Sequence, residues 1–156
     1  MRGLLKGLLT CLSLALGGLL LLGLLLNFAC VSRDEVSHLT SPDGAVEATL
    51  IETNGGATTS FGYEVRLRRA DSWFGSSTQV AYFYGAVRSE CAYGVNMRWT
   101  GPTTLQLEYL RAYSADVDDK SRVGGKRITI AARSGVADPS AACGGMEYNR
   151  LGRPYG

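Results

Sequence analysis

The side chains of this sequence that could do chemistry are few and scattered. The loop Asn54-Gly55-Gly56-Ala57-Thr58-Thr59-Ser60 is the best candidate site. Its glycines leave backbone N–H groups unhindered and its hydroxyls add donors, a combination able to cradle an anion or a polar ligand. Asn54, Gly55, Gly56, Thr58 and Thr59 are the candidate binding residues, and a wide hairpin connection is the plainer reading of the same stretch. Glu52, Glu64 and Glu108 lie in alternating apolar–polar segments, and a pair of carboxylates can do acid–base work. Arg66, Arg68 and Arg98 occupy the same kind of face, however, and suit cross-strand pairing with acids such as Glu47, Glu64 and Glu108. Asp116, Asp118 and Asp119 lack the glycine and terminal glutamate of a calcium loop and read as solvated. Cys91 and the one histidine, His38, make a thiol–imidazole couple only if the thiol is free and the segment around His38 folds back. Gly124-Gly125-Lys126 lacks the leading glycine of a phosphate loop and has Arg127 where that loop needs Ser or Thr, so it reads as a turn. There is no G-x-S-x-G elbow and no C-x-x-C pair. The expectation is therefore no catalytic residue, no metal and no cofactor.

The elements that must position these residues read as strands. AVEATLIET, FGYEVRLRR, GVNMRWT, TTLQLEYL and KRITIAAR alternate apolar and polar side chains with the period of a half-buried strand. QVAYFYGAV is more continuously apolar, as a strand covered on both faces would be. Ser41-Pro42-Asp43-Gly44 and Gly101-Pro102 are turns. The stretch 114–126, acidic then basic, reads as a loop, and the Gly-, Ala-, Ser- and Pro-rich stretch 134–156 as a tail. Six strands with short connections predict a mainly β fold: a small antiparallel sheet, as a meander, or a sandwich. No connection is long enough for a crossover helix, so parallel pairing is not expected.

Ahead of this body lies a hydrophobic run. Lys6 and Arg33 bracket 26 residues without a charge. About 20 apolar residues in a helix cross a bilayer core, and a helix satisfies its own backbone, so residues 1–32 read as a membrane anchor with the helix over about 8–31. Arg2 and Lys6 precede it and no comparable excess follows, which keeps the N-terminus cytoplasmic and sends the rest across a single pass to a periplasmic or extracellular location. A cleaved signal remains open, as does a lipoprotein acylated at Cys30, although Asn27-Phe28-Ala29-Cys30 departs from the usual lipobox. Residues 33–44 read as a linker, 45–133 as the β domain. Ser13, Gly17, Gly18 and Gly23 offer a close-approach spacing, but scattered glycine in a leucine-rich anchor explains them as well.

Composition adds two constraints. With Arg2 and Lys6 set aside, the body has 14 Lys plus Arg against 14 Asp plus Glu. A neutral body without a basic stripe is a poor polyanion binder, so nucleic acid is not an expected partner. Cys91 and Cys143 are the only cysteines after the run, and in an oxidising compartment they are expected to form a disulfide.

SPDG, AVEATLIETNGGATTSFGYEVRL and VNMRWTGPTTLQLEY together resemble a group of small bacterial envelope proteins without an assigned activity, in which a leader or anchor precedes a β domain. The likeness spans roughly residues 41–110, less the middle loop, and implies fold and location only. The expected function is a membrane-anchored envelope module that binds another protein or a cell-wall component, with Trp73, Phe74, Tyr82, Phe83, Tyr84 and Tyr93 as material for a contact surface. The rivals are a small hydrolase using the strand carboxylates and an immunity-type inhibitor of a toxin.

Overall fold

The computed structural model describes residues 12–23, 31–56, 58–72, 75–88, 92–138, 141 and 151. The chain divides into two units, Met1–Val31 and Ser32–Gly156. In the first, residues 12–23 form a helix whose leucines are exposed. Among the described residues no helix is long and apolar enough to cross a membrane. Cys30 lies outside the described residues, as do most of the remaining positions of the expected anchor helix.

The second unit is built from nine strands among its described residues: β1 (Ser32–Thr40), β2 (Val46–Asn54), β3 (Gly62–Arg69), β4 (Thr78–Tyr84), β5 (Val95–Gly101), β6 (Thr104–Tyr109), β7 (Ser114–Val117), β8 (Lys120–Val123) and β9 (Lys126–Arg133). They form two sheets, ordered β1-β2-β3-β4-β7 and β5-β6-β9-β8. Alternation decides which residues face inward. Val46, Ala48 and Leu50 of β2 stand beside Leu67 and Val65 of β3, and Leu105 and Leu107 of β6 do the same in the second sheet. These rows belong to one buried cluster shared by both sheets, with Tyr63, Phe83 and Ile128 among its largest members.

The expected strands are present, with four corrections. Residues 32–40, read mainly as linker, form β1, which pairs with β2 along its length. A bulge between Glu35 and Ser37 turns Val36 into the core while the rest of the strand stays largely exposed. The segment read as a loop before Lys126 holds β7 and β8. The pairing is not purely antiparallel, because β6 and β9 run parallel. Parallel neighbours need a long connection, and residues 110–125 supply it without a helix: the chain adds β7 to the first sheet and returns through β8. Finally, the start of the expected tail is held, since Gly135 and Val136 donate to the carbonyls of Leu110 and Tyr109 and Asp138 is buried. Cys91 and Cys143, the expected disulfide, lie outside the described residues.

Candidate functional site

Position 52 is where the inward phase of β2 changes character. It follows Val46, Ala48 and Leu50 on the core face but carries a carboxylate. Its cross-strand partner is Tyr63, whose hydroxyl donates to Glu52 Oε2 at 2.6 Å. Arg88 Nη1 donates to Oε1 at 2.8 Å, so the two carboxylate oxygens have different donors. The Arg88 guanidinium lies 3.6 Å from the centre of the Phe61 ring, a cation–π contact. Burial pushes the Glu52 carboxyl above the usual range, the two donors pull it back, and Asp34, directly opposite on β1, adds an upward push.

The backbone over this cluster is shaped by glycine. Gly94 has φ +82° and passes against the Tyr63 ring, where a Cβ would strike the phenol. Gly85, with φ +65°, makes room for the Tyr113 ring in the same way. Gly85 N–H donates to the Phe61 carbonyl, Tyr113 N–H to Tyr84 and Val87 N–H to Arg111, which ties three loops into one wall.

The result is a groove of about 420 Å³. Phe61 and Tyr113 give it aromatic walls, Arg88 and Arg111 give it cations, and Thr59 and Ser60 give it hydroxyls. Tyr113 is 80 % exposed, whereas the core aromatics Tyr63 and Phe83 are fully buried. An aromatic face beside an arginine fork suits a ligand that carries an anionic oxygen group and some apolar surface.

The loop expected to bind is at the edge of this groove, with a different role from the one its glycines suggest. Gly56 N–H donates to Asn54 Oδ1 at 2.9 Å, Thr59 N–H to the Gly56 carbonyl at 3.1 Å and Ser60 N–H to the Tyr84 hydroxyl at 3.2 Å. These donors are engaged within the protein and do not form an open nest. Thr59 lines the groove; Asn54, Gly55, Gly56 and Thr58 do not.

The other candidate groups do not converge. Glu64 lies on the outer face of its sheet, gripped by Arg33 at 2.7 and 2.8 Å, with Arg66 at 3.5 Å. Glu108 lies on the outer face of the other sheet beside Arg98 at 3.2 Å. With Glu52 turned inward, the three carboxylates occupy three different faces. His38 Nδ1 lies 2.9 Å from Glu35 Oε1 on exposed β1. Asp116 belongs to β7, and Asp119 sits 3.7 Å from Lys120. Among the described residues no three His, Cys, Asp or Glu side chains cluster as metal ligands. Gly124 and Gly125, both at positive φ, make the two-residue turn from β8 to β9. Trp73 and Phe74 lie outside the described residues, and Phe83 is core.

A second cleft of about 320 Å³ lies between the SPDG turn and the β8–β9 turn. Its cations are neutralised within the protein: Lys126 pairs with Asp43, and Arg69 with Asp71. Arg88 of the larger groove is likewise paired, with Glu52, and what makes that groove the better candidate site is its aromatic walls, Phe61 and Tyr113, which the second cleft lacks.

Arg88, Arg111, Phe61 and Tyr113 carry no sequence signal, being single residues on loops. Glu52 does carry one: it is a carboxylate in the apolar phase of its strand. Neither a scan of family models nor searches of curated proteins and of solved structures finds a match to this chain.

Proposed function

We propose that this protein is a membrane-anchored module of the cell envelope that binds a partner and performs no catalysis, with residues 1–32 as its anchor and the groove as its recognition surface. One observation carries the reading. Arg88 is fixed by Glu52 at 2.8 Å and stacked on Phe61 at 3.6 Å, so a cation stands preset in the groove wall before any ligand arrives. Preorganisation of this kind lowers the ordering cost of binding an anionic group. Export of the body, a Cys91–Cys143 disulfide and kinship with small envelope proteins belong to the same proposal, supported by the uncharged N-terminal run and the SPDG and GGATT segments. The separate placement of Glu52, Glu64 and Glu108, each beside an arginine, favours binding over hydrolysis.

A photocrosslinking amino acid placed at Tyr113 in the full chain, in cells, tests the surface. The same group at Thr103, in the exposed turn between β5 and β6, is the reference. The reading expects an adduct from position 113 that is absent at 103 and weakened by Arg111→Glu. Equal crosslinking at both positions, or none at 113, would overturn the groove as the recognition surface.

A further inference from the structure

The outer faces of the two sheets differ in how their charges are matched. On the first sheet the outward arginines have acids: Arg33 and Arg66 meet Glu64, and Arg68 meets Glu47. Alternation fixes the outward row of the second sheet. Val95 and Met97 of β5, Leu105 and Leu107 of β6, Val123 of β8 and Ile128 and Ile130 of β9 are buried. Arg98, Glu108, Lys120, Arg122, Arg127 and Arg133 alternate with them and face the other way. Glu108 is the only carboxylate at these outward strand positions, and Arg98 meets it at 3.2 Å. Lys120 has Asp119 at 3.7 Å, and Asp138, beyond the strands, is buried against Asn96. Arg122, Arg127 and Arg133 are exposed and have no ion pair among the described residues. Arg122 and Arg127 are direct cross-strand partners, one step from the two-residue β8–β9 turn. Like charges placed opposite each other destabilise a sheet, so folding alone does not favour this pair, whereas an anion between them does.

The charge is a stripe and not a point. Arg127 and Arg133 share a face along β9, separated by about 20 Å at the rise of a strand. The neutral total of the body averages this stripe with acids elsewhere, so a total of zero does not exclude a polyanion site. The rest of the face selects the polyanion. Its other outward positions include Asn96, Thr104, Gln106, Thr129 and Ala131. They offer no aromatic ring on which a base could stack, and no apolar centre of the kind a protein interface is built around. Their hydroxyls and amides suit the hydroxyl groups of sugar rings. We propose that the outer face of β5-β6-β9-β8 binds an acidic polysaccharide, with Arg122 and Arg127 holding one anionic group and Arg133 meeting another farther along the polymer. The guanidinium fork matches the oxygens of a carboxylate or a sulfate. None of these residues lines the groove, so this is a second surface that does not depend on the first.

The test titrates the full chain, in an uncharged detergent, into fluorescently labelled dextran sulfate, with uncharged dextran as the reference and anisotropy as the readout. The expected result is binding of the sulfated polymer alone, weakening as salt is raised. Arg122→Gln together with Arg127→Gln should weaken it severalfold and make its salt dependence shallower. Arg33→Gln together with Arg68→Gln removes the same charge from the outer face of the first sheet and should leave the affinity unchanged. The first pair of substitutions relieves a like-charge contact, so its melting temperature should not fall, which separates lost binding from lost folding. No binding by the wild type, or an equal effect of the two double substitutions, overturns the proposal. An oligothymidylate of matched charge that binds more tightly than dextran sulfate overturns the polysaccharide as the occupant and puts nucleic acid in its place.

Discussion

At the residue scale, a carboxylate turned toward a hydrophobic core must either be paired or stay protonated, and Glu52 is balanced between the two. Its folded pKa lies above the ordinary 4.5. Below that ordinary value both states hold the proton. As pH rises the unfolded chain releases it first, so the stability due to this group falls from about the ordinary value up to the folded pKa and then levels off. Arg88→Ala removes one of the two donors and pushes the folded pKa further up. The expected outcome is a loss of about 3 kcal/mol near neutral pH, as for other broken buried pairs, shrinking in acid where Glu52 is protonated in both states. Denaturant unfolding of both chains over a pH series measures it, and a loss that does not depend on pH would mean that Arg88 acts through packing alone. Asp43 behaves in the opposite sense. Lys126, then Ser41, hold its carboxyl down to about 2 from an ordinary 3.8. Its contribution is full above the ordinary value and disappears as pH falls through about 2. In Asp43→Asn the acid limb of the stability profile in that window should flatten, and added salt should flatten it in the wild type too, because the pair is exposed.

At the scale of elements, the strands that alternate were legible because one face of each is buried. Val46, Ala48 and Leu50, or Leu105 and Leu107, announce an inward row with period two. β1 was hidden for the converse reason. Its ladder to β2 needs only backbone, and an edge strand that turns only Val36 and Ser37 inward leaves little hydrophobic pattern to read. The four-residue β7 and β8 are too short to show a period, and the parallel match of β6 with β9 depends on where a distant segment returns. The groove was legible only through Glu52 and the flank at Thr59, because three separate loops assemble its other walls. Two glycines in those loops make a controlled comparison. Gly94→Ala places a methyl against the buried Tyr63 ring at positive φ and should cost about 3 kcal/mol. Gly85→Ala meets Tyr113, which is free to swing into solvent, so about 1 kcal/mol from the backbone alone is expected. Equal losses in thermal or chemical unfolding would show that the Tyr63 ring is not held as rigidly as its burial indicates.

At the scale of the β unit, the question is whether two sheets behave as one body. They share a single core, and the Phe83 ring of the first sheet meets Tyr109 of the second at 5.0 Å. Along the β5 side the Trp99 indole N–H donates to the Leu39 carbonyl of β1 at 3.3 Å, joining edge strands of different sheets. The chain itself crosses between the sheets after β4, β6 and β7, so neither sheet is a continuous segment able to fold without the other. Unfolding is therefore expected as one transition. With Trp73→Phe, Trp99 is the sole tryptophan, and its fluorescence reports the junction while far-ultraviolet circular dichroism reports both sheets. The two curves should coincide. Leu50→Ala, in the first sheet, and Leu107→Ala, in the second, remove fully buried side chains and should each lower that common transition by 2–5 kcal/mol. If Leu107→Ala shifted the fluorescence curve and left a second, unshifted phase in the dichroism, the sheets would be separate cooperative units. The groove is walled by loops from both sheets, so it would then open before the first sheet melts, and ligand binding would stabilise only the earlier phase.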